Sequence, residues 1–590
     1  MIPVNRFVRA GLVGGIAVLF VALVGLMAKV ADINLIGTQV TGAYTLLAMA
    51  PFATGYVAVR PKVVAGEIES FSTARSTAFG VVAGATTAAL VAIAVLFIDW
   101  YGVGRVREIF IQVDPDLIEF LSFGQSVILG ALILTVGGGA LGAAGAVFRG
   151  LTPSLRRNLG TAVSVTLLMG LLQRIIPIML LQLGLGTDWL YSKITGGLTW
   201  IGAVIVFAAT WGAAWLWARR GRAAKETIRT MTREQPGTRL VVGVVILALL
   251  AAIPWLVGSV ISDVLGTVMV FMLLGLGLNI VVGYAGLLDL GYVAFFGFGA
   301  YATALLTGAT LNTTVGSASP ALSLDLNFYV AIPIVVLLAA AVGVLIGGPV
   351  LRLRGDYLAI VTLGLGEMAS ILLASNWMTP LVGGPQGMRN VSDAAIAGFS
   401  FRDPQHFFYL ALAFVLLAVF LSWRLSNSRI GRAWNAMRED EQVADAMGIS
   451  TTRFKLLAFA MGGAVGSLGG ALLAVKIGSL TPASFEIIVS ITALAVVILG
   501  GMGSIPGVVV GGLVLIGLPG LLREFEEFRL LIYGGALVSI MVLRPQGLVP
   551  NIRRSRELHE EDRSQDKWAG DLPTDEQVAA PLTPLGEGSG

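Results

Sequence analysis

Residues Leu240–Val257 read LVVGVVILALLAAIPWLV, a run without a single charged side chain. Such a run matches the roughly 20 mostly apolar residues that a helix needs to cross a bilayer. Comparable runs recur at Gly11–Met27 and Phe407–Leu421. Of the 590 residues 56% are hydrophobic, only 13% are charged and 75 are glycine. Soluble domains carry about 25% charged residues and about 7% glycine, so a soluble fold is excluded. If about sixteen helices of this length are present, they consume about 320 residues and leave only short loops. The fold class expected is therefore all-α: a polytopic helical membrane protein of about 16 transmembrane helices, with no large extramembrane domain.

Charge clusters order the spans. Basic loops at Arg60–Arg75, Arg149–Arg157 and Arg219–Arg239 alternate with loops at 31–41 and 185–196 that carry little basic charge. By the excess of Lys and Arg on the cytoplasmic side, this predicts about six spans, near 11–29, 42–59, 77–98, 118–148, 160–184 and 197–217. Arg105 and Arg107 fit this alternation less well, since it places their loop outside. The stretch Ala218–Arg239 (ARRGRAAKETIRTMTREQPGTR) reads as a basic cytoplasmic linker after an N-terminal module, 1–217. A second module, 240–550, carries about ten more spans, near 240–260, 266–284, 288–307, 329–350, 357–375, 407–423, 455–476, 486–500, 506–521 and 529–544. The polar, Pro- and Gly-rich tail 551–590 has too little apolar surface to fold alone. Both termini are expected in the cytoplasm. The apolar run after Arg6 and Arg9 continues to about Met27, too long for a signal peptide core, and no small-x-small cleavage site follows. It reads as a first span.

Much chemistry is absent. No Gly-Lys dipeptide occurs, so the chain has no phosphate loop of its own. Two histidines, no cysteine and no Gly-x-Ser-x-Gly elbow leave no catalytic residue and no metal site to nominate. The net charge of +4 reads as a topology signal and not as nucleic-acid binding. Ionisable groups inside spans are costly and persist mainly for function; here they are Arg174, Asp289, Glu367 and Lys476, the last expected to reach for the surface from the end of its span. Polar side chains within apolar segments (Asn279, Tyr284, Asp289, Tyr292 and Glu367) are the candidates for a substrate path. Helix packing is written in glycine pairs four apart, at Gly80/Gly84, Gly462/Gly466/Gly470 and Gly507/Gly511, a spacing that lets helix backbones approach closely in lipid.

The segment Arg424–Lys455 (RLSNSRIGRAWNAMREDEQVADAMGISTTRFK) is the longest internal polar stretch of the second module. Arg432–Met447 reads as one amphipathic helix, apolar at Ala433, Ala436, Met437, Val443, Ala444 and Met447 and polar at Arg438, Glu439, Asp440 and Glu441. Gly448 is placed to stop it, and Ser450 or Thr451 to cap the next helix. A helix held between two spans suits docking of a cytoplasmic partner, because force on it moves both.

From about 245 to 550 the chain resembles the M-type permease subunits of branched-chain amino-acid ABC importers. The carrying blocks are Leu278–Leu306 (LNIVVGYAGLLDLGYVAFFGFGAYATALL), Arg354–Ile371 (RGDYLAIVTLGLGEMASI), Val382–Met388 (VGGPQGM), Ser428–Ala474 and Val497–Val510 (VILGGMGSIPGVVV). The resemblance implies that Ala444 and Gly448 fall in the importer loop that docks on the ATPase; with the polar face Arg438, Glu439, Asp440 and Glu441 they make the candidate ATPase-docking loop. Its usual Glu-Ala-Ala opening is here Gln442-Val443-Ala444. The resemblance also implies partners: a second, H-type permease, two cytoplasmic ATPases that bind the ATP, and an extracytoplasmic substrate-binding protein. No cofactor is expected in this chain. The setting is a bacterial inner or plasma membrane. A urea or short-amide importer, and a stand-alone ion-coupled carrier, are the alternative readings. Residues 1–235 show none of these blocks, nor the Asn-Phe-Ala-His-Gly-type stretch of the companion permease, and read as an accessory extension.

Overall fold

The computed structural model describes residues 5–60, 63–64, 67–68, 73–182, 184–193, 195–234, 236–313, 316–350, 353, 355–396, 398–521, 534–535, 538 and 546–549. The tail 551–590, and all but a few residues of the span expected near 529–544, lie outside these. Among the described residues ten helices are long and apolar enough to cross a bilayer, and Val293–Leu306 and Ile505–Leu521 are shorter apolar helices. The architecture is all-α with small β elements in the loops. The chain divides into two compact units at Gly258, beyond the basic stretch 218–239. The helix Trp200–Glu234 runs well into that stretch, so its backbone is helical where a linker was expected.

The first unit is built on four helices: α1 (Asn5–Leu23), α2 (Gly42–Ala58), α3 (Thr73–Tyr101) and α4 (Val127–Gly150). Glycine sets their spacing. A Cβ at Gly84 of α3 would stand 2.2 Å from the Gly138 carbonyl oxygen of α4, and one at Gly142 of α4 2.2 Å from that of Gly80. Gly55 of α2 closes on the same residue, 2.1 Å from the Gly142 oxygen. Three backbones therefore meet around one side-chain-free point, as the sequence pairs suggest. The rest of the contact is aliphatic: Val18, Leu47, Val91, Val95 and Leu134 are all buried. The span expected at 118–148 is two pieces, a short helix Leu117–Leu121 and α4. After it come α5 (Pro153–Leu171) and α6 (Trp200–Glu234).

The second unit opens within the helix Pro236–Leu278 (α7), which breaks at Gly258 (φ 76, ψ −177), a left-handed conformation that glycine adopts without a Cβ penalty. α7 passes into a π-helical turn, Asn279–Tyr284, and an irregular link to α8 (Val293–Leu306). There follow α9 (Phe328–Val350), α10 (Asp356–Ala374), α11 (Pro404–Ser426), α12 (Arg429–Glu439), α13 (Glu441–Ala446), α14 (Thr451–Ile477), α15 (Ile487–Gly500) and α16 (Ile505–Gly512).

The core helix is α14: 78% of its spanning window is buried within the chain, against 22% for α10. Its glycine ladder explains why. A Cβ at Gly462 would stand 2.4 Å from Val281, at Gly466 2.7 Å from the Tyr292 hydroxyl, and at Gly470 1.9 Å from the Phe296 oxygen. At its far end a four-stranded antiparallel sheet, Gly316–Ala318, Thr310–Thr313, Met388–Arg389 and Ser479–Leu480 in spatial order, staples three loops together. Lys476 does not reach for the surface as expected. Its ammonium lies 3.2 Å from the Asp263 carboxylate and donates to the Asp263 carbonyl oxygen (2.6 Å) and to Thr267. A partner on α7 removes the need to find water.

Candidate functional site

The near end of α14 carries the polar segment Arg424–Lys455. Ser428 caps α12, its hydroxyl accepting from Ile430 N (3.1 Å) and Gly431 N (3.3 Å). The single helix expected over Arg432–Met447 is two, broken at Asp440, whose backbone is extended (φ −151, ψ 111). The Asp440 carboxylate accepts from Gln442 N (2.8 Å) and Val443 N (3.0 Å) and starts a second short helix. Asp is a strong N-cap residue because its oxygen satisfies the free N–H groups of a first turn, and here that preference overrides a continuous apolar repeat. Gly448, at φ 86, ends the second helix. Its N–H donates to the Asp445 oxygen (2.9 Å) and that of Ile449 to the Ala444 oxygen (3.1 Å), the paired bonds of a Schellman stop.

Three fixings hold the two helices to the membrane part of the unit. Trp434 is fully buried, and its indole donates to the Phe454 carbonyl oxygen at 2.8 Å. Lys455, on α14 and 5% exposed, pairs with Glu441 at 2.7 Å. Arg438 turns inward: its guanidinium donates to the Gly283 carbonyl oxygen of the π turn at 2.5 Å. Its stem lies over Gly286 (φ 73), where a Cβ would stand 2.7 Å from Arg438 Cγ. Ala444 also faces inward, 3% exposed, whereas Val443 is 58% and Met447 79% exposed. Glu439 and Asp440 are solvent-facing. The outer apolar face is therefore Val443 and Met447, and Ala444 belongs to the chain's own packing, a correction to the amphipathic pattern read over this segment.

Four of the five path candidates cluster at the π turn, enclosed. Asn279 is fully buried and its side-chain oxygen accepts from Gly503 N at 2.8 Å. Tyr284 is buried beside Ser426 of α11. Asp289 is 2% exposed; its carboxylate accepts from Gly291 N at 2.9 Å and Thr362 lies beside it. Tyr292 is fully buried and donates to the Gly462 oxygen at 2.5 Å. Asn279 and Tyr292 tie the turn to the loop before α16 and to α14, and Leu290 N donates to Thr362 of α10. Among the described residues, Asn279 Nδ2 and Asp289 Oδ2 are buried without a hydrogen-bond partner. Glu367 stands apart from them. It is exposed near the middle of α10, on a stripe with Tyr357, Ile360 and Ile371 that no described residue of this unit covers. Arg438 is the residue whose role sequence reading missed, because a polar residue beside Glu439 and Asp440 reads as part of a solvated face.

Residues 260–542 match the family model described as branched-chain amino acid transport system / permease component. Over 333 residues the chain is 41% identical to the high-affinity branched-chain amino acid transport system permease protein LivM of Escherichia coli (strain K12), covering 52% of this chain and 75% of that one. The chain belongs to the branched-chain amino acid permease family. The permease is similarly 40% identical to LivM of Salmonella typhimurium over 331 residues, 52% of this chain and 74% of that one. It is also 31% identical to LivH of E. coli K12 over 140 residues, 23% of this chain and 44% of that one. The greater reach and identity of the LivM matches mark it as M-type. No solved structure matches the chain. Most of the matched region lies in the second unit, and it includes the polar segment Arg424–Lys455, the π turn and α10.

Proposed function

We propose that this permease is the M-type subunit of an ABC importer that moves branched-chain or related amino acids inward across a bacterial plasma membrane. ATP is hydrolysed on two cytoplasmic ATPases, an extracytoplasmic binding protein delivers the substrate, and an H-type permease supplies the other half of the path. This chain performs no catalysis and holds no cofactor. The observation that carries the reading is the pair α12 and α13. They are pinned by Trp434, Lys455 and Arg438 while presenting Val443 and Met447 outward, which suits seating in an apolar groove of an ATPase.

The same geometry supports a route for force. The Arg438–Gly283 bond joins the docking pair to the turn that Asn279 and Tyr292 hold in place. A displacement of the docking pair by the ATPase is passed to this turn. Glu367 lies on the face toward the second permease, because a carboxylate at mid-span is expensive in lipid and persists where protein or a water-filled path covers it. Matches to both LivM and LivH support a pair of related permeases.

The test is reconstitution. Proteoliposomes holding this permease, a companion permease, the ATPases and the binding protein should accumulate leucine only when ATP is present on the ATPase side. Omission of this chain should abolish uptake. ATP hydrolysis or ATP-driven accumulation by the chain alone would overturn the subunit reading.

A further inference from the structure

The first unit contains a cavity that the importer reading does not use. It lies between α1, α2, α3 and α4 and has a volume of about 290 Å³. Its walls include Val18, Leu47, Val91, Leu134 and Leu141, and among the described residues no charged side chain lines it. The polar groups there are few. The Thr87 hydroxyl is turned onto Thr54 and the carbonyl oxygens of Gly11 and Ala83, so it is already engaged within the bundle. Gln39 and Tyr44 stand at one end, where the hairpin Asn34–Thr41 leads into α2.

We propose that this cavity holds one acyl chain of a membrane phospholipid. An amino acid carries two opposite charges, and the cavity offers neither a cation nor an anion to meet them. A buried charge without a partner is strongly disfavoured. An apolar occupant is matched by every wall. Size agrees as well: an apolar cavity of about 150 Å³ accommodates benzene, so this one has room for about a dozen carbons, a large part of one lipid tail. Depth agrees too. From Tyr44 to Pro51 α2 rises about 10 Å, and the lining stretches of all four helices lie in the half of the bundle next to the hairpin and the loop 102–126. The tail enters one leaflet's depth, with the polar end of the lipid beside Gln39 and Tyr44.

The geometry also supplies the variant that tests it. Gly137 of α4 lines the cavity, and a Cβ built there meets nothing within 4 Å. Gly137→Trp therefore starts from an unobstructed Cβ and adds bulk at the wall of the cavity. Ala48→Phe fills it from α2 and guards against a folding defect specific to α4. The full chain is placed in nanodiscs of phosphatidylglycerol bearing a diazirine midway along one acyl chain, irradiated, and mapped by peptide mass spectrometry. The expected result is labelling of wall residues around Leu47, Val91 and Leu134 in the unsubstituted chain. Both filled variants should lose it, while labelling at the outward residues Val13, Ile93 and Val136 is unchanged. Wall labelling that is absent, or that persists in both filled variants, overturns the proposal. Labelling spread equally over inner and outer faces shows annular lipid only, and overturns it too.

Discussion

Neighbouring residues of the docking segment carry opposite expectations. Val443 and Met447 face outward, so Val443→Asp or Met447→Asp leaves the fold intact and places a charge in the proposed ATPase contact. The expected outcome is normal amounts of membrane-inserted permease, loss of co-purifying ATPase and loss of uptake. Ala444→Asp instead forces a carboxylate into the chain's own packing, at about 1–3 kcal/mol or more for an unsatisfied buried polar group. It should lower the thermal stability of the purified permease, and a stability equal to the parent's would refute the inward placement. Lys455 gives a second check. Removing one member of a fully buried ion pair costs about 3–5 kcal/mol, whereas apolar replacement of both is often near neutral; with Glu441 30% exposed the loss here falls below that range. Lys455→Met should destabilise, and Lys455→Met with Glu441→Leu should recover most of the loss in a denaturation assay. These facings were not legible in the sequence. Ala433, Ala436, Met437, Val443, Ala444 and Met447 satisfy one helical period, and a period does not say that part of the stripe faces inward and part outward. Asp440 as an N-cap was the overlooked signal, sitting inside a charged run that reads as ordinary surface.

Among the elements, the π turn and α12 are joined by the Arg438–Gly283 hydrogen bond, and the proposed coupling runs through it. Arg438→Gln shortens and discharges the side chain that reaches Gly283, while the Trp434 and Lys455 fixings keep α12 and α13 in place. ATPases should then still co-purify with the assembled importer, but ATP hydrolysis should proceed with little uptake, measured as amino acid moved per ATP consumed. Arg438→Lys keeps the charge and a donor and should restore part of the coupling. A transport-to-hydrolysis ratio unchanged in Arg438→Gln would remove this link from the mechanism. The glycine ladders of α3 and α14 were legible as sites of close approach, since their spacing in apolar runs has one physical use. What they approach was not, because the partner is a carbonyl oxygen or a tyrosine hydroxyl distant in sequence. Polarity in Asn279, Asp289 and Tyr292 likewise announced that each must find a partner in an apolar setting. It did not announce that the partners are backbone groups of the same chain, so the enclosed cluster at the turn appears only in three dimensions.

At the scale of the whole molecule, composition alone fixes the solvent: a chain with 13% charged residues and recurrent apolar runs is membrane-embedded. Charge asymmetry then predicts sidedness. The segment 218–239, the loop 424–454 and both termini should be protected from an impermeant thiol reagent added outside, when single cysteines are introduced into this cysteine-free chain, and reactive after the membrane is opened. Labelling of any of them from outside would reverse the topology. The sheet that gathers the loops after α8, α10 and α14 should be reachable from outside in the same experiment, for example at Asn390.

The exposed carboxylate of Glu367 has a consequence for life before assembly. On the proposal that the companion covers α10, a newly inserted permease without it turns this group toward hydrocarbon, at about 3 kcal/mol on the scale for charged residues at the centre of a span. That burden is lifted only when another protein surface or a hydrated path covers α10. Each unpaired copy thus carries a mark of its own incompleteness, of the sort a membrane protease or chaperone reads as an orphan. The cellular amount of this permease should follow the supply of its companion, and Glu367→Leu should loosen that dependence, lengthening the half-life of unpaired copies in a pulse-chase.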